Sequence, residues 1–375
     1  MLTVVIKAAN GCNLACSYCS VGEKTGCRRA DGPRMEELLL YACRAAAARG
    51  ETALHVILHG GEPTLVDAGA YRLAIGRARA EFPKLDIRLS MQSNGLSIGE
   101  DMLALIREYD IHMGISLDGS QEIHDSQRKS AGGAPTYRRA VENIGRLERA
   151  GAHPSCLMVL TRSALDKGYA YLAFFEERGL SLKINPLLPC GGAAAHPELA
   201  LRPGDYASYL IGLYEYVLER DIRVSVAPIE PILYAIVHGQ GIRECSFQEE
   251  CSRRFLCLDD LGNIYPCGKC ADMDRFRLGT IWTTPPGELG EHPVLRALAA
   301  RRGERLPAAC RSCRFVNLCH GGCSAQAAMD GDVSAAPALC ADYRMLFSYF
   351  HGEGLKRLRQ ELKRHRERLL KKIGG

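Results

Sequence analysis

The sequence predicts an α/β protein built on a parallel sheet and followed by a cysteine-rich module. Three observations carry this. Short apolar segments alternate with longer amphipathic ones up to about residue 225, three cysteines stand directly after the first apolar segment, and cysteines crowd again from Cys245 to Cys340. With 375 residues, 47% of them apolar, the chain is long enough for one large domain and a smaller one.

Strands are expected at LTVVIKA (2–8), LHVILHG (54–60), IRLSMQS (87–93), IHMGISL (111–117), CLMVLT (156–161) and LSLKINP (180–186). Helical periodicity lies between them, as in MEELLLYACRAAAAR (35–49) and YRRAVENIGRLERAG (137–151). Strands joined by helical crossovers pair in parallel, in a barrel-like or a doubly wound sheet. In either arrangement chemistry belongs at the C-terminal strand ends, which is where the cysteine triplet falls. The segment GGAAAHPELALRPGD (191–205) reads as an exposed loop, and the field from Cys245 onward as a metal-organised module rather than further sheet. Three domains follow: 1–225, 226–350 and a basic terminal helix, 351–375.

The formal charge of +5 is concentrated at the end of the chain, because residues 354 to 375 carry nine Lys or Arg against Glu361 and Glu367. Leu355, Leu358, Leu362, Leu369, Leu370 and Ile373 give this tail a helical apolar stripe. No aromatic side chains interleave with its charges, so nucleic acid is not an expected partner. Seventeen cysteines in a secreted chain would suggest disulfides. The N-terminus, however, has no basic segment before a long apolar run, and no stretch is long enough to span a membrane. A reducing cytoplasm, with the cysteines held by metal, is the expected setting.

Cys12, Cys16 and Cys19 form CxxxCxxC, a set of soft ligands suited to iron and sulfide. Three thiolates on a cubane that needs four leave one iron open to a substrate or cofactor. GCNLACSYC after a first strand resembles the signature of the radical S-adenosylmethionine (SAM) enzymes. The resemblance implies a partial (β/α)6 TIM-like barrel in which these cysteines hold a 4Fe–4S cluster and SAM chelates the open iron. Electron transfer to SAM would then yield a 5′-deoxyadenosyl radical that takes hydrogen from an unactivated C–H bond. HGGEP (59–63) resembles the family's GGEP turn, with Gly60 and Gly61 allowing close backbone approach and Glu62 suited to the SAM ammonium. Tyr18 would pack on the adenine. Gln92 and Asn94 of QSNG, Ser116 and Asp118 of SLDG, and Arg128, a candidate for the SAM carboxylate, complete the expected cofactor site.

The second cysteine field resembles the SPASM extension of radical SAM peptide-modifying enzymes. By that likeness Cys251, Cys257, Cys267 and Cys323 would bind one auxiliary 4Fe–4S cluster, and Cys310, Cys313, Cys319 and Cys340 another, making three clusters in all. Cys27, Cys43, Cys156, Cys190, Cys245 and Cys270 remain, and Cys270 could exchange with a ligand because it forms a CxxC with Cys267. The layout is similar to that of sulfatase-maturing enzymes, in which an aspartate directly follows the cysteine of YPC and acts as a base. Here Gly268 stands in that place, and Asp259, Asp260, Asp272 and Asp274 are the substitutes at hand. The expected activity is a radical SAM/SPASM maturase forming a C–C (cyclophane-type) or thioether cross-link in a ribosomally synthesised peptide. Formylglycine formation on Cys or Ser is the first alternative, and a small-molecule radical SAM dehydrogenase the second. Expected partners are a peptide or protein substrate with a leader, and an electron donor such as flavodoxin or ferredoxin. The leader would bind the barrel, the basic tail or a separate protein.

Overall fold

The computed structural model describes residues 1–21, 28–271 and 273–373, with side chains to residue 364. Cys27 and Asp272 therefore lie outside the described residues. Two compact units are each assembled from separate stretches. The first comprises Met1–Met158, Leu187–Ala200 and Glu249–Leu306, and the second Val159–Pro186, Leu201–Gln248 and Pro307–Gly375. The compact units thus weave back and forth along the chain instead of following the expected divisions at residues 225 and 350, which stay a proposal.

In the first unit β1 (Leu2–Ala9), β2 (Ala53–Gly60), β3 (Asp86–Ser93), β4 (His112–Ser116) and the start of β5 (Ser155–Leu160) pair in parallel in chain order. The period-2 pattern explains their faces. In β2, Leu54, Val56 and Leu58 are buried on one face, while His55, Ile57 and His59 are half-buried on the other. Helices α1 (Gly32–Ala48), α2 (Ala68–Glu81), α3 (Glu100–Tyr109), α4 (Gln121–Gln127) and α5 (Tyr137–Arg149) make the crossovers. Asp31 caps α1 by accepting from Arg34 N at 2.9 Å, and Pro33 sits in its first turn, where a missing N–H costs nothing.

Two expectations need correction. The field after Cys245 does contribute sheet: Phe255–Asp259 pairs in parallel with the free edge of β1, Val5 opposite Cys257 and Lys7 opposite Asp259. It then turns back through Asn263–Tyr265, which pairs in turn with Gly279–Thr280. In the sequence, the cysteine and aspartate of FLCLD read as a ligand and a base and so hide a strand pattern. Nor is 191–205 simply an exposed loop. Gly191 (φ +57°) packs so closely on the Ser20 carbonyl that a Cβ would collide with it, and Ala193 N donates to Cys19 O at 3.3 Å.

In the second unit β6 (Leu182–Pro186) pairs in parallel with β7 (Val226–Ala227). Asp342, from the helix Cys340–Tyr349, accepts from Gly204 N at 3.1 Å and Ala207 N at 3.0 Å, capping from outside the helix Asp205–Arg220. The terminal helix Leu355–Ile373 is anchored at its start. Tyr214 donates to Gly354 O at 2.9 Å, and Arg357 lies 3.5 Å from Glu215. No described helix is long and apolar enough to cross a membrane.

Candidate active site and cysteine loops

β1 delivers the chain at Ala9 into a loop whose backbone is tied down on several sides. Ala15 N donates to Lys129 O (2.9 Å), Ser17 N to Gln127 O (3.1 Å), and Asn10 N to Arg28 O (3.1 Å). Cys12 Sγ accepts from Leu14 N at 3.4 Å and faces Asn94 Nδ2 at 3.7 Å, while Asn94 also donates to Asn13 Oδ1 at 2.7 Å. Burial pushes the Cys16 thiol up to about 11, against the pull of the Arg128 guanidinium and with the neighbouring Cys19 and Cys12 adding to it. Such a sulfur becomes a thiolate when a metal replaces its proton.

The GGEP turn abuts this loop. A Cβ on Gly60 (φ +127°) would strike Ala9 O and one on Gly61 would strike Gly11 O, so the close approach made by these glycines is to the cysteine loop. Gly61 N donates to Ala9 O at 2.7 Å and Glu62 N to Gly11 O at 3.0 Å. Glu62 is fully buried. Its Oε1 accepts from Thr64 N, Thr64 Oγ1 and Ser93 Oγ at 3.0, 2.7 and 2.8 Å, and its Oε2 from Asn94 N at 2.7 Å. Burial raises its pKa and those four donors oppose the rise. A buried carboxylate with one oxygen holding a single donor suits a cation.

Asp118, at the end of β4, is fully buried and accepts from the Tyr18 hydroxyl and from Gln127 Nε2 (3.2 Å). Tyr18 in turn accepts from Arg128 Nη1 at 2.5 Å. The Arg128 Nε, by contrast, is buried without a partner, and its guanidinium lies close enough to Cys16 to act on that thiol's charge. Gln92 reaches over Gly114, its register partner, to donate to Ser116 Oγ at 3.2 Å, and a Cβ on Gly114 would run into the Gln92 amide oxygen.

Sequence reasoning missed two strand-end side chains. Lys7 is in register with His59 on one side and Asp259 on the other. His59 Nδ1 accepts from Gly60 N at 2.7 Å, and burial together with the Lys7 charge lowers its pKa to about 4, so the ring is neutral and carries its proton on Nε2, as a donor. Polar residues at the last same-face positions of adjacent strands were the available signal. Of the substitute bases, Asp259 is committed to its turn, accepting from Leu261 N, Asn263 N and Asn263 Nδ2 at 3.0, 2.8 and 2.8 Å. Asp260 pairs with Arg28 at 2.9 Å, and Asp274 is exposed at the start of the short turn Asp274–Phe276.

Among the later cysteines, Cys310, Cys313, Cys319 and Cys340 line one predominantly apolar cavity in the second unit, with Phe315 and Phe347. Cys267 and Cys270 place their sulfurs 3.7 Å apart. Among the described residues no three His, Cys, Asp or Glu side chains converge as they would on a single metal ion. In a cubane each thiolate grips a different iron, so three-fold convergence on one point is not required.

Residues 6–163 match the radical SAM superfamily. The chain is 27% identical over 364 residues to the cysteine-type anaerobic sulfatase-maturating enzyme of Clostridium perfringens (strain ATCC 13124), covering 93% of this chain and 96% of that protein. It is 22% identical to the serine-type enzyme of Bacteroides thetaiotaomicron, over 86% of this chain and 82% of that one. In fold it is similar to native anSMEcpe with bound AdoMet and Kp18Cys peptide, with a TM-score of 0.81, 23% identity, and coverage of 95% of this chain and 98% of that chain. It is also similar to Streptococcus suis SuiB bound to precursor peptide SuiA, with a TM-score of 0.66, 16% identity, and coverage of 90% and 75%.

Proposed function

Because the chain is a radical SAM enzyme, we propose that it is a peptide maturase, one that takes a hydrogen atom from a side chain of a ribosomally made peptide and closes a C–C or thioether cross-link. The donor set fits the cofactors. Cys12, Cys16 and Cys19 would hold the 4Fe–4S cluster, leaving one iron for SAM. The unpartnered Arg128 Nε beside Cys16 suits the SAM carboxylate, and Glu62 Oε2 suits its ammonium. Bound there, cluster and SAM together supply the hydrogen-abstracting radical. The chain itself orients and shields. Tyr18, which would pack against the adenine, is held by Asp118 and Arg128, Asn94 steadies the loop at Cys12, and the Gln92–Ser116 pair and His59 Nε2–H would offer hydrogen bonds at the strand ends. Clusters held by the second cysteine field would carry electrons away, and a flavodoxin or ferredoxin would supply them to the first.

Gly268 carries the choice of a cross-link. Making formylglycine requires a proton to be removed as well as a hydrogen atom, and a base must stand close by. The three atoms nearest to a Cβ at Gly268 would be those of the Val5 side chain, at 3.5, 3.7 and 3.9 Å, which is ordinary contact, so the backbone would accept a side chain there and the sequence does not use one. Among the described candidates, Asp259, Asp260 and Asp274 do not fill the gap, being committed to a turn, an ion pair and the surface, and Asp272 lies outside the described residues. In a cross-link the substrate radical attacks a second side chain and one further oxidation completes the bond.

The relatives' own activity supports the second reading, oxidation of Cys or Ser to formylglycine. Incubation with SAM, a reductant and peptides from short reading frames beside the gene separates the two. A cross-link gives 5′-deoxyadenosine, a product lighter by about two mass units, suppressed fragmentation between two residues and no hydrazine adduct. A trapped aldehyde on one residue rejects the cross-link in favour of formylglycine.

A further inference from the structure

The cavity lined by Cys310, Cys313, Cys319 and Cys340 lies wholly within the second unit, and fixed charge is scarce in it. Phe315 and Phe347, both buried, form part of its wall. Apart from the thiols, Arg344 is the only side chain among the described lining residues that carries a charge at neutral pH. The helix Cys340–Tyr349 puts it there: Arg344 follows Cys340 by four residues, one turn further along the same face. Arg344 is exposed, and its guanidinium makes no hydrogen bond or ion pair with a described residue. Arg314, also exposed, is engaged elsewhere, donating to Ser348 Oγ at 2.9 Å and lying 4.5 Å over the Phe315 ring. Burial and the neighbouring Cys313 raise the pKa of the Cys340 thiol, and the Arg344 guanidinium pulls the other way, so its charge reaches the ligand set.

A cubane held by four thiolates is negatively charged, and reduction adds one negative charge more. An apolar wall disfavours that added charge, because burial takes it out of water. A fixed cation on the wall offsets the penalty, and does so more for the reduced cluster than for the oxidised one. We propose that Arg344 raises the reduction potential of the auxiliary cluster held by Cys310, Cys313, Cys319 and Cys340. The inference rests on the reading of these four cysteines as cluster ligands, and a raised potential is what a cluster that accepts electrons requires. It does not depend on which peptide is modified.

The test uses the full chain with Cys12, Cys16 and Cys19 replaced by Ala, reconstituted anaerobically without peptide, so that auxiliary iron alone is observed. Redox titration followed by electron paramagnetic resonance reads the midpoint potentials. Arg344→Gln should keep the iron content and make reduction of one cluster about tenfold less favourable, the equivalent of about 59 mV. Arg344→Glu should lower that potential further, and Arg344→Lys should hold it near its starting value. High salt should narrow the spread, because the side chain is exposed. Potentials that ignore the charge carried in place of Arg344, at unchanged iron content, overturn the proposal while leaving the cluster in place. Iron lost alike from the Lys, Gln and Glu variants makes the side chain structural and overturns it too. If replacing Cys313 and Cys340 together by Ala removes no iron, the four cysteines hold no cluster, and reading and proposal fall together. Peptide assays do not enter these readouts, so failure here and failure of the cross-linking function are separable.

Discussion

His124 shows how one side chain ties the site's loops together and what that costs at low pH. Its Nδ1 accepts from Asp118 N at 3.2 Å, its Nε2 faces Thr136 Oγ1 at 3.1 Å, and that hydroxyl donates to Arg128 O at 2.6 Å. The ring is therefore neutral, with its proton on Nε2, and burial lowers its pKa from 6.5 to about 4. Between those two values the unfolded chain binds a proton that the folded chain refuses, so stability falls as the pH falls, by roughly 3 kcal/mol in total. His124→Gln keeps an acceptor and a donor but cannot titrate. Urea unfolding of this variant should show a shallower loss between pH 6.5 and 4; an unchanged slope would place the acid sensitivity elsewhere, His59 included. Glu62→Gln makes a different point, because an amide NH2 would confront one of the donors now aimed at the carboxylate. Thermal unfolding should register a cost of about 1–3 kcal/mol. If Glu62 also meets the SAM ammonium, calorimetry with SAM should show affinity weakened at least about tenfold, the equivalent of 1.4 kcal/mol. Unweakened SAM binding would leave Glu62 a structural cap only.

Among the elements, those with clean periodicity were legible in the sequence. β1 to β5 lie within one or two residues of the expected segments: β2, β3 and β5 alternate a buried face with a more exposed one, and β1 and β4 are short apolar runs buried over most of their length. The strand Phe255–Asp259 was not legible, since a parallel partner some 250 residues away leaves no local signal and its Cys257 and Asp259 suggested ligands and a base. The site was legible as residue types following strands, whereas its wiring was not. Nothing in EIHDSQR announces that Arg128 would share the Tyr18 hydroxyl with Asp118, or that GGEP would brace the cysteine loop. The turn at Cys190–Gly191 is the most easily tested brace. Gly191→Ala introduces a Cβ against the Ser20 carbonyl at a left-handed backbone position, so the loop bearing Cys19 must shift. Reconstitution should then lose about four irons and SAM cleavage while the auxiliary iron stays. Full iron content in this variant would show that the turn is dispensable.

For the molecule as a whole, the uneven charge sets an expectation about partners. Lys363, Arg364, His365 and the basic residues beyond them lie past Arg357, whose contacts with Glu215 and Glu219 anchor the helix. Truncation after Leu362 should therefore spare the fold and weaken binding of an acidic leader peptide, more at low salt than at high, because exposed charges are screened within about 10 Å at 0.1 M. Equal affinity with and without those residues would make the helix a solvated face. The parallel pairing of Phe255–Asp259 with β1 has a consequence for the newborn chain. β1 is the first strand to be made, yet one of its edges is filled only by a segment emerging some 250 residues later. At about 5–20 residues per second the ribosome needs roughly ten to fifty seconds to supply it. Throughout that interval a row of unpaired amides and carbonyls beside three thiols is open to strangers. A nascent chain stalled near residue 248 should therefore bind chaperones and aggregate, and release of the next few dozen residues should end both.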